Sequence, residues 1–381
     1  MNIGIVSEYF PRSQAVEIRG GAEARAFYIA KNLARNNKVT VITSREPEMN
    51  ARDEFLGMSV LRVGKTRAYS QSGALTGRLS FMREAARIGK QHRFDIVEGS
   101  SLLSCPAAWQ IGEHLGIRRV CTYHDVWLGE WVKNIGPAGI LGEILERRIL
   151  SRNWDLIIAN SQYTKNKLVR AGVDQNKIQV IHNGVELSRY REIEVPKSAQ
   201  PTVCVVARLV KYKRVDDAIR AVHRCTADIP DIMLKIIGTG PEENKLRSLV
   251  AELGLEKNVE FLGFVERFED VVRTMKASRM LVLPSVVEGF GMVVVEAMAA
   301  SLPYIAADIP AVREATDGGM GGLLYEPANH EALAANMKKV LLDDVLTKTL
   351  LEQSERRVRQ LEWGAISENV EEAFRSVFGG R

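Results

Sequence analysis

Two carboxylates stand eight positions apart in PSVVEGFGMVVVEAMAAS (Pro284–Ser301): Glu288 at the entry of a Gly289-Phe290-Gly291 turn, and Glu296 inside a run that otherwise reads as buried. A strand, a glycine turn and an apolar helix in succession set the backbone N–H groups of Gly289, Phe290, Gly291 and Met292 at a helix N-terminus. There they have no intrahelical partner and can bind an anion or a polar ligand. Glu288 is placed to accept hydrogen bonds from hydroxyls. A carboxylate on a buried helix face needs donors of its own. A vicinal diol, as in a ribose, brings two of them; an internal cation is the plainer partner for Glu296.

Arg208 and Lys213 lie in VARLVKYKRVDDAI, between a strand and a helix, with Lys211 and Arg214 as neighbours. Cations at a helix N-terminus oppose its dipole, so an anion there would offset them. A diphosphate fits, with Arg as the fork and Lys as a point charge; a solvated basic turn is the alternative. His124-Asp125 closes another strand, where a neutral imidazole can donate or accept a hydrogen bond, or simply pack. Gly20-Gly21-Ala22-Glu23 precedes the first helix, and Gly238-Thr239-Gly240-Pro241 joins a strand to a helix. Both glycine pairs allow a ligand to approach the backbone, and both also read as ordinary turns.

Alternating short apolar runs and amphipathic segments must position these residues. Asn2–Phe10, Lys38–Ser44, Phe94–Ser100, Arg118–Asp125, Trp154–Ser161 and Gln179–Glu186 read as strands, with a helix over Ala22–Asn36. Leu187–Pro201 is polar, lacks periodicity and reads as a linker. The alternation then restarts with strands at Thr202–Leu209, Ile232–Gly240, Val259–Val265, Met280–Ser285, Leu302–Asp308 and Gly321–Pro327, and helices at Val215–Cys225 and Pro241–Leu253. Continuous apolar strands joined by helices imply parallel sheets covered on both faces. The expected fold is α/β, two doubly wound Rossmann-like domains facing across a cleft: residues 1–190 and 191–362, with a terminal helix over 363–381 crossing back to the first. Ligands of such sheets bind beyond the carboxyl ends of the strands.

The chain of 381 residues is long enough for two domains, and 46% hydrophobic with 26% charged residues is ordinary for a globular protein. Cys105, Cys121, Cys204 and Cys225 show no paired spacing, which argues against a zinc site or a disulfide framework and fits a reducing, cytoplasmic setting. No signal peptide and no run of about 20 apolar residues is evident. Net charge is +5, yet residues 1–195 carry 28 basic and 20 acidic side chains. Arg62–Arg93 holds eight basic residues (Arg62, Lys65, Arg67, Arg78, Arg83, Arg87, Lys90, Arg93) against Glu84 alone. That stretch reads as a solvated basic face, or as attraction to something anionic, such as a phosphorylated acceptor or a peripheral contact with an anionic membrane at the inner face. Nucleic acid is a poor fit, since aromatics do not interleave with the cations.

With these motifs in order, the whole chain resembles the retaining glycosyltransferases of family 4 (glycosyl transferases group 1, GT-B fold). The resemblance rests on GGAE, HD, NSQYTKNKL (Asn160–Leu168), VIHNGVE, VARLVKYKR, IGTGP, FLGFV, the E-x7-E of Glu288 and Glu296, and WGAISENVEEAF. It implies that Glu288 and the following backbone hold the donor sugar, Glu296 the ribose diol, and Arg208 and Lys213 the diphosphate. It places Gly21 near that phosphate, His124 near the sugar C6 hydroxyl, and Phe264 and Val265 around the base. It implies a retaining, same-face transfer of a hexose from a nucleotide-diphosphate sugar, UDP favoured and GDP-mannose open. The acceptor is a hydroxyl of a glycan, a lipid-linked or a small-molecule substrate, and no metal or other cofactor is expected: Asp216-Asp217 is not a DxD motif. The acceptor-facing segments Arg45–Arg93 and Leu128–Gly142 follow no transferable pattern. Sugar-nucleotide 2-epimerases of the same architecture and a non-catalytic sugar-nucleotide-binding protein are the alternatives. An NAD-dependent oxidoreductase is disfavoured, because Glu8-Tyr9-Phe10-Pro11 replaces a fingerprint glycine loop.

Overall fold

Apolar β-branched runs and the amphipathic segments between them form two parallel-sheet units. The computed structural model describes residues 1–13, 18–69 and 75–379. Gly380 and Arg381 of the expected terminal helix, and residues 70–74 of the Arg45–Arg93 segment, lie outside them. The first unit is Met1–Asn183 with Trp363–Arg381, and the second is Gly184–Glu362.

The first unit runs β1 (Asn2–Ser7), α1 (Gly21–Leu33), β2 (Lys38–Ser44), β3 (Arg52–Phe55), β4 (Met58–Val63), α2 (Leu75–Gly89), β5 (Ile96–Gly99), α3 (Cys105–Leu115), β6 (Arg118–Tyr123), α4 (Trp131–Ile135), α5 (Gly139–Leu150), β7 (Leu156–Ala159), α6 (Gln162–Arg170) and β8 (Ile178–Val180). Its sheet has the order β3-β4-β2-β1-β5-β6-β7-β8. Ile3 registers with Val39 on one side and Ile96 on the other, both parallel; the β3–β4 pairing is antiparallel. Successive side chains of a strand face opposite ways, and β1 covers both faces accordingly. Ile3 and Ile5 join Phe27 of α1 and Phe374 of the last helix in one core, while Val6 joins Phe81, Ala107 and Ile111 of α2 and α3 in another.

The second unit runs α7 (Leu187–Arg191), β9 (Thr202–Val206), α8 (Val215–Cys225), β10 (Met233–Ile237), α9 (Glu243–Glu252), β11 (Val259–Gly263), α10 (Phe268–Ala277), β12 (Met280–Leu283), α11 (Met292–Ala299), β13 (Tyr304–Ala307), α12 (Pro310–Ala315), β14 (Gly322–Tyr325), α13 (His330–Leu342) and α14 (Asp344–Arg359). The order is β11-β10-β9-β12-β13-β14, all parallel. The terminal helix, α15 (Trp363–Phe378), lies in the first unit, where Trp363 stacks on Tyr28 of α1 at 5.5 Å between ring centroids.

One expectation needs correction. Leu187–Pro201 is not all linker: Leu187, Tyr190 and Ile193 are buried in the core of the second unit, so Leu187–Arg191 folds as α7. Within Arg45–Arg93, β4 pairs in parallel with β2, Val60 opposite Val41, and β3 closes a hairpin through Leu56 and Gly57, both at positive φ. Leu128–Gly142 holds α4 and the start of α5. Among the described residues, no helix is long and apolar enough to cross a membrane.

Candidate functional site

In the second unit the chain order reverses at β9, which lies between β10 and β12. Such a reversal opens a crevice at the carboxyl ends of the two strands that flank it. From β9 the chain passes through Arg208 into a short 3-10 turn, Lys211–Lys213; from β12 it passes through Glu288 into α11. The Val286 N–H donates to the Tyr212 carbonyl at 3.0 Å, tying the two loops. The tie brings Lys213 Nζ to 2.5 Å from Glu288 Oε1, with the side chains only 17% and 13% exposed. A charge pair this withdrawn from water is held by mutual neutralisation, and taking one partner away leaves the other uncompensated. Arg208 is exposed beside the crevice, and its guanidinium meets no partner among the described residues.

Neighbouring loops explain two of the glycines. Gly238 has φ +130°, and a Cβ there would stand 1.9 Å from the Ala207 carbonyl oxygen; at Gly240 it would stand 2.3 Å from that of Leu209. The β10 loop thus lies against the β9 loop, with Leu209 N–H donating to the Thr239 carbonyl at 2.9 Å. These glycines serve the packing that sets Arg208 in place. β11 stops at Gly263, two residues short of the expected strand end, and leaves Phe264 64% exposed beyond it, with Val265 partly buried.

Gly291 caps α11 at φ +83°, which favours glycine, and the Phe290 ring is buried in the core, so Phe290 offers its backbone. Glu296 lies on α11 among Val294, Val295, Ala297 and Met298, all buried. No hydrogen bond or ion pair reaches its carboxylate among the described residues, and burial pushes the carboxyl up to about 7. The internal cation offered as the plain alternative is not found among the described residues. Glu296 is a carboxylate kept short of donors.

Arg214, beside Lys213, is less open than the sequence suggests. Arg214 binds Asp217 through two bonds of 2.6 Å, and Asp216 and Asp217 in the first turn of α8 suit its dipole. Among the described residues, no group of three or more His, Cys, Asp or Glu side chains is arranged to hold a metal ion.

In the first unit the reversal falls between β1 and β5. Gly20 and Gly21 follow β1. Gly20 caps α1 in an extended conformation (φ −172°), and a Cβ on Gly21 would meet nothing within 4 Å. Among the described residues, the space beside the Gly21 backbone is open. His124 follows β6, and its Nε2 lies 2.9 Å from the Ser100 carbonyl oxygen, past the end of β5. A carbonyl only accepts, which assigns the proton to Nε2 and leaves Nδ1 as an acceptor. Burial first, then the charge of Arg25, press the imidazole down to about 4, so it is neutral at physiological pH. Asp125 is taken by Lys167 at 2.6 Å and holds the loop.

Sequence reasoning passed over Arg25 and Glu98. Arg25, on the apolar face of α1, is 2% exposed and donates to the His182 carbonyl (2.7 Å) and to Asn183 Oδ1 (3.0 Å). Glu98 in β5 accepts from the Thr122 hydroxyl at 2.5 Å, and burial raises its pKa. A charge inside a hydrophobic period was the available signal for both. The basic stretch also changes meaning. Arg67 and Arg78 both bind Glu8, and Arg62 is paired with Asp53, so three of its cations are spent inside the unit.

The same architecture recurs in solved structures. Sucrose-phosphate synthase from Thermosynechococcus elongatus superposes with a TM-score of 0.82 at 21% identity, over 100% of both chains. Anabaena Alr3699/HepE, in complex with UDP and glucose, superposes with a TM-score of 0.75 at 21% identity, over 99% of this chain and 100% of that one. The fold is that of the GT-B glycosyltransferases. The family models are more specific: Glycosyltransferase Family 4 matches residues 19–189, and Glycosyl transferases group 1 matches residues 188–359. The chain belongs to this family of glycosyltransferases, and is a transferase enzyme. It is 26% identical over 318 residues to D-inositol 3-phosphate glycosyltransferase of Rhodococcus opacus (strain B4), a match spanning 77% of this chain and 70% of the relative.

Proposed function

We propose that this enzyme moves a hexose, with retention at the anomeric carbon, from a UDP-sugar to a hydroxyl of its acceptor, without a metal ion. One observation carries the reading. Lys213 and Glu288 meet at a strand-end crevice, and the same loop leads into the helix that bears the unpartnered Glu296. Arg208 and Lys213 take the diphosphate, Glu296 the ribose diol, Glu288 and the N-terminus of α11 the sugar hydroxyls; the backbone at Phe264 and Val265 frames the base. In the first unit Gly21 admits phosphate, and His124 accepts a hydrogen bond from a sugar hydroxyl through Nδ1. The bond from the anomeric carbon to the phosphate oxygen breaks and its electron pair leaves with the diphosphate. The acceptor oxygen bonds to that carbon from the same face, and its proton passes to a leaving phosphate oxygen. Preorganised cations and helix N–H groups stabilise the charge that grows on the diphosphate. The UDP held by Alr3699/HepE supports uracil as the base. Four free, buried cysteines suit a cytoplasmic reaction.

The test is a calorimetric panel of UDP, GDP, ADP, TDP, their sugar conjugates and NAD, in EDTA. Selective binding of UDP and one UDP-sugar, with an α-configured product from an α-configured donor, is expected. Binding of GDP-mannose alone would overturn the base. Binding that needs magnesium would overturn metal independence. No binding of any of them would favour a scaffold without donor chemistry.

A further inference from the structure

Arg19, the residue before Gly20-Gly21, is held at its N–H, its carbonyl and its guanidinium. The N–H donates to Glu23 Oε2 at 3.0 Å, and the carbonyl accepts from the Tyr69 hydroxyl at 3.3 Å. The guanidinium forks onto Glu46, with Nη1 2.6 Å from Oε2 and Nη2 2.8 Å from Oε1. Nη2 also donates to Glu23 Oε1 at 3.0 Å, and the group lies 4.3 Å from the centre of the Tyr69 ring. Three elements thus meet on one residue: Glu23 from the first turn of α1, Glu46 from the loop after β2, and Tyr69 from the loop after β4. The start of the β1–α1 loop is fastened too. Arg62 of β4, its side chain fully buried, donates to the carbonyls of Pro11 and Arg12 at 3.1 Å each. Arg12 in turn reaches Glu46 Oε2 at 3.4 Å, so Glu46 joins the start of the loop to its end.

Glu46 is the member whose burial needs a reason, since its side chain is 1% exposed. Burial works against its charge, yet the bonds from Arg19 and the charges of Arg19 and Arg12 hold its carboxyl below the ordinary range. Burial pushes Glu23 the other way, up. A buried ion pair is a poor device for stability alone, because apolar residues of like volume do as well. What a bidentate fork adds is direction. α1 has other anchors, for Phe27, Ile29 and Leu33 sink it into the core it shares with β1. The fork instead fixes the backbone that carries Arg19, and the next residues on that backbone are Gly20 and Gly21. The Gly20 carbonyl then accepts the Ala24 N–H at 2.9 Å, which passes the constraint into α1.

We propose that Glu46 is a positioning residue: acting through Arg19, it holds the Gly20-Gly21 backbone in place ahead of the reaction, and so serves the step in which charge grows on the leaving diphosphate. The holding stands by itself; its use in catalysis rests on the glycosyl-transfer reading. Backbone N–H groups set in advance act most strongly on the transition state. A displacement of about an ångström in such a group costs up to roughly a hundredfold in rate. Affinity for the nucleotide, which that reading assigns to Arg208, Lys213 and Glu296 of the second unit, does not follow this turn.

Two variants test the link. Glu46→Gln keeps the shape and removes the charge; Arg19→Lys keeps the charge and removes the fork. The rate is read as UDP release, with water taking the sugar, from the UDP-sugar that binds in calorimetry. Each variant is expected to lower kcat about ten- to hundredfold, with KM for the UDP-sugar within about twofold of the wild type and an unchanged circular dichroism spectrum. The double variant is no slower than the slower single one, because both break the same link. Glu46→Asp, with charge and fork on a shorter stem, recovers part of the rate. In the free protein, hydrogen exchange over residues 19–24 quickens at least about tenfold in Glu46→Gln, while residues 26–33 exchange as in the wild type. Folded variants that keep the wild-type kcat would overturn the proposal, and so would losses that multiply in the double variant. A fall in kcat matched by a rise in KM, with exchange quickened throughout the first unit, would reduce Glu46 to a structural role and overturn it as well. Should Glu46→Gln fail to fold, Arg19→Lys carries the same comparisons. A wild type that binds no UDP-sugar defeats the glycosyl-transfer reading instead, and the contrast in exchange then decides the holding by itself.

Discussion

Replacing Glu296 with glutamine removes a charge that the free protein holds at a cost and the bound nucleotide sugar is proposed to relieve. The carboxyl stands at about 7 against an ordinary 4.5, so above pH 7 ionisation in the fold costs about 3 kcal/mol at most. The folded pKa is raised, so between pH 4.5 and 7 the native state binds more protons than the unfolded chain. Stability therefore falls as pH rises through that window and is level above it. Glu296→Gln escapes that loss but buries an amide with no partner, which leaves a net gain of about 1–2 kcal/mol at pH 8. Binding runs the other way. If the carboxylate is the form that holds the ribose diol, affinity climbs as pH rises through about 7. Between pH 5.5 and 8.5 the ionised fraction rises from about 3% to about 97%, a change of up to roughly thirtyfold. The assay is calorimetric titration with an intact UDP-sugar, whose diester phosphates do not titrate in this range; His124, pressed to about 4, stays neutral throughout. The variant should bind weakly and with no slope. A wild-type affinity flat across the range, or a variant less stable at pH 8 than the wild type, would refute the reasoning.

The remaining predictions concern the loops around it. Glu288→Ala should lower turnover more than UDP-sugar affinity, whereas Lys213→Met should lower affinity roughly tenfold or more, the worth of a charged hydrogen bond; equal small effects would sink the division of roles. At saturating donor, kcat should show no step near pH 6.5 from His124, and His124→Ala should cost about a hundredfold in kcat while leaving UDP affinity nearly unchanged. Gly238→Ala forces a Cβ onto the Ala207 carbonyl at φ +130° and should cost about 3 kcal/mol in urea unfolding, with weaker nucleotide binding as the Arg208 loop moves.

Local rules reached far into the second unit. The helix Val215–Cys225 and the strand–loop–helix succession from Met280 were legible because apolar runs, a glycine turn and a clean helical period agree there. β3 was not: Arg-Asp-Glu-Phe is a charged edge strand, and edge strands carry polar residues that blur the pattern. α7 was hidden because two buried side chains, Leu187 and Tyr190, are too few to show a period. For the site, sequence supplied the residue types, and tertiary pairing supplied what they do to one another. That Lys213 answers Glu288, and that no described residue answers Glu296, depend on which strand ends adjoin across the sheet, whereas Asp217 silences Arg214 within a single helix turn. Arg25 stood out in the sequence only as a charge within an apolar period, and what it binds was hidden. Its partners, His182 and Asn183, lie more than 150 residues away in the chain.

The last helix has a bearing on synthesis. Trp363, Ile366, Val370 and Phe374 of α15 belong to the same core as Ile3, Ile5 and Phe27. The first unit to leave the ribosome therefore lacks one wall of its interior until Trp363–Phe378 has been made. Gly184–Glu362, by contrast, is a continuous segment with its own core. The nascent chain should complete its middle before its beginning, carrying an unfinished amino-terminal half that must be kept from aggregating in the meantime. A stop codon just before Trp363 would be most damaging to the half it does not touch.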